Sequence, residues 1–136
     1  MTLRFAGYAA LFDRRDKGGD VIRKGAFARA VREKGAAPLL WQHRQDRPIG
    51  RIERIAEDAR GLRVIGRLTP GAGDEAAALL RDGAVGGLSF GYRVRAKHDA
   101  PQGRELIDLD LIEVSLVTFP MQPAARVHAF QEENDA

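Results

Sequence analysis

The stretch Gly86-Gly87-Leu88-Ser89-Phe90-Gly91-Tyr92 decides how the fold of this chain is interpreted. It places a serine between glycines and leads into Tyr92-Arg93-Val94-Arg95, which favours a strand. Glycines beside a serine let the backbone approach a substrate closely. The chain has two serines, at positions 89 and 115, and no cysteine, so Ser89 is the leading candidate for a nucleophile. The alternative, from this stretch alone, is a glycine-relaxed strand whose serine caps a turn.

Length and composition indicate one globular domain. The chain has 136 residues, of which 44% are hydrophobic and 30% charged, enough for one core and too few for two. The net charge of +3 is mild, and the arginines are scattered rather than gathered into the basic stripe that is typical of nucleic-acid binding. No apolar run reaches membrane-spanning length. We therefore expect neither nucleic acid nor a membrane as a partner, and the lack of cysteine favours a cytosolic setting.

The predicted elements indicate a mainly β protein with a few helices, of the α+β class. Short apolar or alternating runs predict six or seven strands, and helices are predicted over Ala26 to Lys34 and over Asp74 to Arg81. We expect a small closed or nearly closed antiparallel β-barrel with the helices packed outside. The expected organisation is a single domain over residues 1–130 followed by a polar tail over residues 131–136.

Two local predictions concern the segments on either side of the serine stretch. Residues 38–43 and 48–52 are predicted as strands joined by a polar turn over residues 44–47. The run from Glu105 to Phe119 is predicted to contain two strands, because the side that carries its acids switches near Leu111. A loop is predicted before that run, over residues 97–104.

A serine hydroxyl is a poor nucleophile until a base takes its proton, and the chain offers three histidines. His43 follows an apolar segment, and taken alone it is best explained by a hydrogen bond to backbone. His98 stands between charged residues and is expected in a solvated loop. His128 lies near the C-terminal end of the sequence, where packing or fraying is the simplest expectation.

One motif in the serine stretch points to a different fold. Residues 87–91 match the G-x-S-x-G nucleophile elbow of α/β-hydrolases, and the order Ser89, Asp110, His128 matches the triad order of that fold. An elbow requires a helix after the serine, whereas the residues after Ser89 favour a strand. A chain of this length also lacks the strands and crossover helices of a broad parallel sheet. We therefore reject the hydrolase interpretation.

Four segments spread over nearly the whole chain carry a resemblance to a known family. They are Gly7-Tyr8-Ala9-Ala10-Leu11-Phe12 with Gly19-Asp20-Val21-Ile22-Arg23-Lys24-Gly25-Ala26-Phe27, Leu40-Trp41-Gln42-His43 with Pro48-Ile49-Gly50-Arg51, Gly87-Leu88-Ser89-Phe90-Gly91-Tyr92, and Leu111-Ile112-Glu113-Val114-Ser115-Leu116-Val117-Thr118-Phe119-Pro120. The chain resembles the prohead (capsid-maturation) serine proteases of tailed phages, in which these segments occur in the same order. That family is similar in fold to the herpesvirus assemblin proteases.

The resemblance implies that Ser89 is the nucleophile, His43 the general base and Glu113 the third member, which orients the imidazole and stabilises its charged form. The assemblin relatives use a histidine in the third role, so a glutamate here is a departure from them. The residues themselves agree, because Glu113 is a lone acid between Ile112 and Val114, and a buried carboxylate needs a partner. The alternative is a Glu113 that faces solvent on a half-exposed strand.

The resemblance places the oxyanion donors in a loop after the third member, near Pro120. A backbone N–H of Met121 or Gln122, or the side chain of Arg126, fits this role, and the sequence does not choose among them. No metal or cofactor is implied.

The resemblance implies a serine endopeptidase that matures a capsid inside the immature shell, in the cytoplasm of a bacterial host. Its expected substrates are the scaffold segments of capsid proteins, and the chain itself is a further one. The expected partners are the major capsid protein, the portal and, because a small barrel exposes strand edges, a second copy of the chain. The alternative, from another class, is a catalytically silent β-barrel that acts as a capsid-assembly or scaffolding module.

Overall fold

The computed structural model describes residues 2–133, in which strands supply most of the regular structure and two helices flank them. In chain order the elements are β1 (Thr2–Leu11), β2 (Val21–Ile22), α1 (Ala28–Lys34), β3 (Ala37–Trp41), β4 (Arg44–Glu57), β5 (Gly61–Leu68), α2 (Asp74–Arg81), β6 (Gly87–Ala100), β7 (Gly103–Val117) and β8 (Val127–Glu133). The mainly β character with two helices is as predicted. Neither helix in this part of the chain is long and apolar enough to cross a membrane.

The eight strands form one sheet that is organised around β7. Its path runs β2-β7-β3-β4-β5-β1-β8, and β6 pairs with β7 along nearly the whole length of both strands. β2 and β3 pair with β7 in parallel, whereas the other ladders are antiparallel. The expectation of a purely antiparallel arrangement is therefore wrong at these two junctions. Both parallel partners follow long connections, since a tight hairpin joins only antiparallel strands.

The sheet does not close into a barrel. β8 pairs only with β1, and no continuous ladder joins this end of the sheet to β6 within residues 2–133. A short segment spans the gap instead, because Leu88 donates its backbone N–H to Ala125 O at 2.9 Å and Tyr8 donates to Arg126 O at 3.1 Å. Gly87 and Arg126 form an isolated bridge beside these bonds. Of the expected closed or nearly closed barrel, the closure is wrong: the sheet is open, and residues 125–127 connect β1 and β6 by backbone hydrogen bonds.

The helices pack where their apolar residues predict. α2 has the bounds predicted from the sequence and buries Ala76, Ala77 and Leu80. α1 begins at Ala28, two residues after the predicted start, since Gly25 has a φ of 93° and ends the preceding segment in a turn. The core beneath the helices is formed by large side chains with at most 2% exposure, among them Leu3, Phe27, Leu39, Ile52, Leu62, Leu88, Leu106, Leu109 and Leu116.

β6 and β7 form one long hairpin, which corrects two predictions. The loop predicted over residues 97–104 is mostly strand, with pairing that continues to Ala100 and Gly103. The two strands predicted between Glu105 and Phe119 are a single strand. Its acids change sides because Gly91 pairs with Glu113 and Tyr92 pairs with Leu111, which leaves the intervening residue as a β-bulge.

Part of the predicted polar tail continues β8. Residues 131–133 belong to β8 and pair with the start of β1, with Thr2 opposite Glu133. Residues 134–136 lie outside the described residues.

Candidate active site

The β6–β7 ladder brings the candidate nucleophile and the candidate acid onto one face. Ser89 pairs with Ser115, and Gly91 pairs with Glu113. Because alternate residues of a strand share a face, these four positions lie together. Gly91 leaves room for the acid, since a Cβ at this position would collide with the Glu113 carboxylate and would lie 3.0 Å from its Cδ. Ser89 and Glu113 are each only 8% exposed.

His43 lies in the two-residue turn between β3 and β4, not in a strand as predicted. Trp41 pairs with Arg44, so that Gln42 and His43 form the turn, and the predicted turn over residues 44–47 is instead part of β4. Both turn residues have positive φ, 52° for Gln42 and 60° for His43. Positive φ at both central residues is the geometry of a type I′ hairpin turn, which usually carries Asn-Gly. Gln-His lacks that signature, and for this reason the sequence did not indicate the turn.

The His43 imidazole contacts the carboxylate of Glu113 directly. The distance from His43 Nδ1 to Glu113 Oε1 is 2.6 Å, and the acid has a side-chain exposure of 10%. An ionised carboxylate only accepts hydrogen bonds, so the proton of a neutral imidazole belongs on Nδ1 and Nε2 is left as the basic nitrogen. This is the tautomer that a general base requires.

Ser115 bonds both the candidate base, His43, and the candidate acid, Glu113. Its hydroxyl donates to Glu113 Oε2 at 2.7 Å and accepts the backbone N–H of His43 at 3.0 Å. The residue is fully buried. Both oxygens of the Glu113 carboxylate are therefore occupied, and both the ring and the backbone of His43 are held against β7.

Ser89 and His43 line the same pocket, which has a volume of about 120 Å³. The other lining residues come from β1, β2, β6 and the connecting loops: Ala9, Asp16, Ile22, Leu88, Phe90, Tyr92, Met121 and Gln122. The Ser89 hydroxyl has no hydrogen-bond partner in the described part of the chain. It is therefore available to a group that enters the pocket.

Tyr92 lines the pocket and contacts a partly buried ion pair behind it. Arg104 donates from Nε to Asp20 Oδ1 at 3.0 Å and from Nη2 to Oδ2 at 2.8 Å. These hydrogen bonds lower the pKa of Asp20, so the pair stays charged near neutral pH. Tyr92 donates to Asp20 Oδ2 at 3.4 Å, and burial raises the pKa of its phenol. Tyr92 thus remains a neutral donor whose ring is fixed at the pocket.

The three candidates for oxyanion donors do not lie together. Met121 and Gln122 line the pocket, and within residues 2–133 neither backbone N–H has an acceptor. The Gln122 side chain is committed elsewhere, because it donates to Leu11 O at 2.8 Å and accepts from Leu11 N at 2.7 Å. Arg126 is exposed, donates from Nε to Pro123 O at 3.2 Å and lies outside this pocket.

The residues of the rejected hydrolase interpretation do not form a triad, because two of them contact other groups. His128 lies on β8 against the ring of Tyr8, with centroids 6.0 Å apart. Asp110 is paired with Arg29 at 2.7 Å and with Arg95 at 2.8 Å. Neither His128 nor Asp110 lines the pocket that contains Ser89.

Sequence reasoning missed three residues that support the site, namely Ser115, Gln42 and Thr118. The first lies within the Glu113-Val114-Ser115 segment, where the two-residue spacing on a strand indicates a shared face. Gln42 and Thr118 have no local sequence signal. Gln42 lies in a turn and Thr118 at the end of a strand, and the two residues are 76 positions apart in the chain.

Comparison with known proteins identifies the family. The family described as Caudovirus prohead serine protease matches residues 1–136. The chain is 36% identical over 135 residues to the prohead protease of Enterobacteria phage HK97, a match that covers 93% of this chain and 60% of that protein. It is 32% identical over 100 residues to a capsid polyprotein of Pseudomonas phage PAJU2, covering 66% of this chain and 15% of the polyprotein. The chain therefore spans less than two thirds of either relative.

Solved structures show the same fold at low sequence identity. The bacteriophage T4 capsid assembly protease superposes with a TM-score of 0.67 at 16% identity, over 84% of this chain and 80% of that one. The varicella-zoster virus protease gives a TM-score of 0.65 at 17% identity, over 98% of this chain and 65% of that one. The predicted likeness to phage prohead proteases and to the herpesvirus protease fold is confirmed, and the chain belongs to the caudovirus prohead serine protease family.

Proposed function

We propose that the chain is a serine endopeptidase that uses Ser89, His43 and Glu113. The observation that carries this proposal is the 2.6 Å contact between His43 Nδ1 and Glu113 Oε1 at the rim of the pocket that also contains Ser89. The contact selects the imidazole tautomer whose Nε2 is basic, and the unpaired serine hydroxyl is the nucleophile that such a base serves.

In the proposed reaction, Ser89 Oγ attacks the scissile carbonyl carbon while His43 Nε2 takes the hydroxyl proton. The imidazolium that forms is stabilised by the Glu113 carboxylate, and Ser115 holds that carboxylate in place. When the C–N bond breaks, His43 returns the proton to the leaving amine. Water then attacks the acyl-enzyme, again with His43 as the base, which releases the acid product and restores the Ser89 hydroxyl.

The developing oxyanion needs hydrogen-bond donors that are already in position. Met121 and Gln122 line the pocket, and their backbone N–H groups have no acceptor among residues 2–133, so we assign the role to these groups rather than to the Arg126 side chain. This assignment uses donors of the same kind as those that stabilise tetrahedral intermediates in other serine proteases.

The proposed substrates are scaffold segments of capsid proteins inside the prohead. Two relatives support this, since one is a prohead protease and the other is a capsid polyprotein. The chain itself is a further proposed substrate. The major capsid protein is the proposed partner, with the portal and a second copy of the chain as additional ones, and the bacterial cytoplasm is the proposed location.

A fluorophosphonate probe tests whether Ser89 is activated. The probe forms a bond to an activated serine oxygen and releases fluoride, so the folded protein is expected to become labelled on Ser89 and not on Ser115. Mass spectrometry of the digested product distinguishes the two serines. Labelling at several protein concentrations shows in addition whether a second copy is needed, because the rate per molecule then rises with concentration.

Two controls make the labelling result decisive. The Ser89→Ala variant and heat-unfolded wild-type protein are expected to remain unlabelled. If folded wild-type protein is inert at every concentration and also with the matching capsid protein added, the proposed protease activity is wrong. The silent scaffolding module is then favoured.

A further inference from the structure

The turn that carries His43 adopts a backbone conformation that its residues do not favour. Gln42 and His43 have φ values of 52° and 60°, a region that side chains with a Cβ rarely occupy. Residues held in such conformations persist when surrounding contacts determine them, and they cluster at functional sites. The contacts that hold this turn therefore also determine the position of the candidate base, His43.

Gln42 and Thr118 are joined by two reciprocal hydrogen bonds. Gln42 Nε2 donates to Thr118 Oγ1 at 2.7 Å, and the backbone N–H of Thr118 donates to Gln42 Oε1 at 3.1 Å. The backbone N–H of Gln42 also donates to Leu116 O at 3.0 Å. We call the pair of residues Gln42 and Thr118 the amide clamp.

The amide clamp connects two parts of the site. Gln42 directly precedes the candidate base, and Thr118 is the first residue after β7. The segment that follows Thr118 leads within three residues to Met121, which lines the pocket with Ser89. The far end of this segment is held by Gln122, whose side chain bonds both backbone groups of Leu11.

We propose that Gln42 is a positioning residue that acts through Thr118. The clamp holds the His43 turn and the 118–122 segment at a fixed separation, so that the imidazole and the backbone N–H groups of Met121 and Gln122 face Ser89 together. This inference rests on the function proposed above, because it assigns Gln42 a role in that reaction without contact to the substrate.

The position of the clamp favours a role in the site over a role in the core. Gln42 and Thr118 are both half-buried, whereas the residues that form the core are nearly inaccessible. A glycine at position 42 would fit the positive φ better than glutamine does. The glutamine is thus unfavourable for the turn itself, and its contribution is the pair of hydrogen bonds to Thr118.

Four variants of the full chain test the proposal. Gln42→Gly keeps the turn conformation and removes the clamp. Gln42→Asn tolerates positive φ but has an amide one methylene shorter than the clamp requires. Thr118→Val removes one of the two hydrogen bonds, and Thr118→Ser is the matched control that keeps both.

Two readouts are measured on each variant once circular dichroism has shown it to be folded at the assay temperature. The first is the rate of fluorophosphonate labelling at Ser89. The second is the NMR resonance of the His43 ring N–H that is bonded to Glu113, which reports the position of the imidazole independently of activity.

We expect Gln42→Gly and Gln42→Asn to label about 10²-fold more slowly than wild type, because a misplacement of about 1 Å can have an effect of this size. Their His43 ring resonance should shift or disappear. Thr118→Val should fall between these variants and wild type, and Thr118→Ser should match wild type in both readouts.

The proposal is overturned if folded Gln42→Gly labels at the wild-type rate with an unchanged ring resonance. A wild-type protein that never becomes labelled contradicts the proposed function instead. In that case the ring resonance alone decides the positioning role of Gln42, and an unchanged resonance in Gln42→Gly rejects it.

Discussion

Replacement of His43 by alanine is expected to abolish cleavage of the matching capsid protein. His43 has its Nδ1 on Glu113 and lines the pocket of Ser89, so its removal leaves the serine without a base. In a well-studied serine protease, loss of the histidine lowers turnover by on the order of 10⁶. The measurement is co-expression of each variant with the capsid protein, followed by mass spectrometry of the products.

The control for this experiment is His128→Ala. His128 packs against Tyr8 on β8 and has no contact with the pocket, so cleavage should persist at close to the wild-type rate. The reverse pattern, with His128 essential and His43 dispensable, would restore the hydrolase-like triad. Circular dichroism of both variants separates a loss of chemistry from a loss of folding.

Two residues of the proposed site lie in local sequence patterns, whereas the role of His43 is implied only by the family resemblance. Ser89 stands in a glycine-rich strand entry, and Glu113 is isolated between apolar residues of a strand. Their pairing partners are fixed by the alternation of the hairpin, in which Gly91 provides the space that the carboxylate occupies. The family resemblance adds the order of the segments, and comparison with known proteins confirms the family.

The geometry around His43 could not be predicted, since it depends on backbone conformations that the residues disfavour. Gln-His does not indicate a type I′ turn, and its positive φ values are held by contacts to Thr118 and Ser115. These contacts depend on the parallel pairing of β3 with β7, which joins residues about 75 positions apart in the chain. Local patterns carry no information about that pairing.

The shape of the sheet was mispredicted for a related reason. The switch of the acids near Leu111 is a bulge at Ile112 rather than a strand boundary, and a bulge and a break produce the same reversal of alternation in a sequence. Closure of the sheet by a strand ladder also depends on tertiary contacts that the sequence does not show. It is replaced here by backbone hydrogen bonds of residues 125–127, which have no sequence signature.

Replacement of Glu113 by glutamine is the second substitution with a large expected effect. Glutamine keeps the size of the side chain and its hydrogen-bonding capacity toward Ser115. It removes the negative charge that favours the Nδ1–H tautomer of His43 and stabilises the imidazolium. The corresponding change of a triad acid lowers turnover by about 10⁴ in the best-studied serine protease. We expect a loss of this order in both capsid cleavage and fluorophosphonate labelling.

A matched control is available on the same strand. Glu105→Gln makes the same chemical change on β7, where Glu105 forms a partly exposed pair with Arg23 at 2.5 Å, outside the pocket of Ser89. This variant should cleave like wild type, because a partly exposed ion pair contributes little to stability. Full activity in Glu113→Gln would mean that the charge opposite His43 takes no part in the reaction. If both variants are folded and only Glu113→Gln loses activity, the loss is due to the carboxylate at His43 and not to the net charge of the strand.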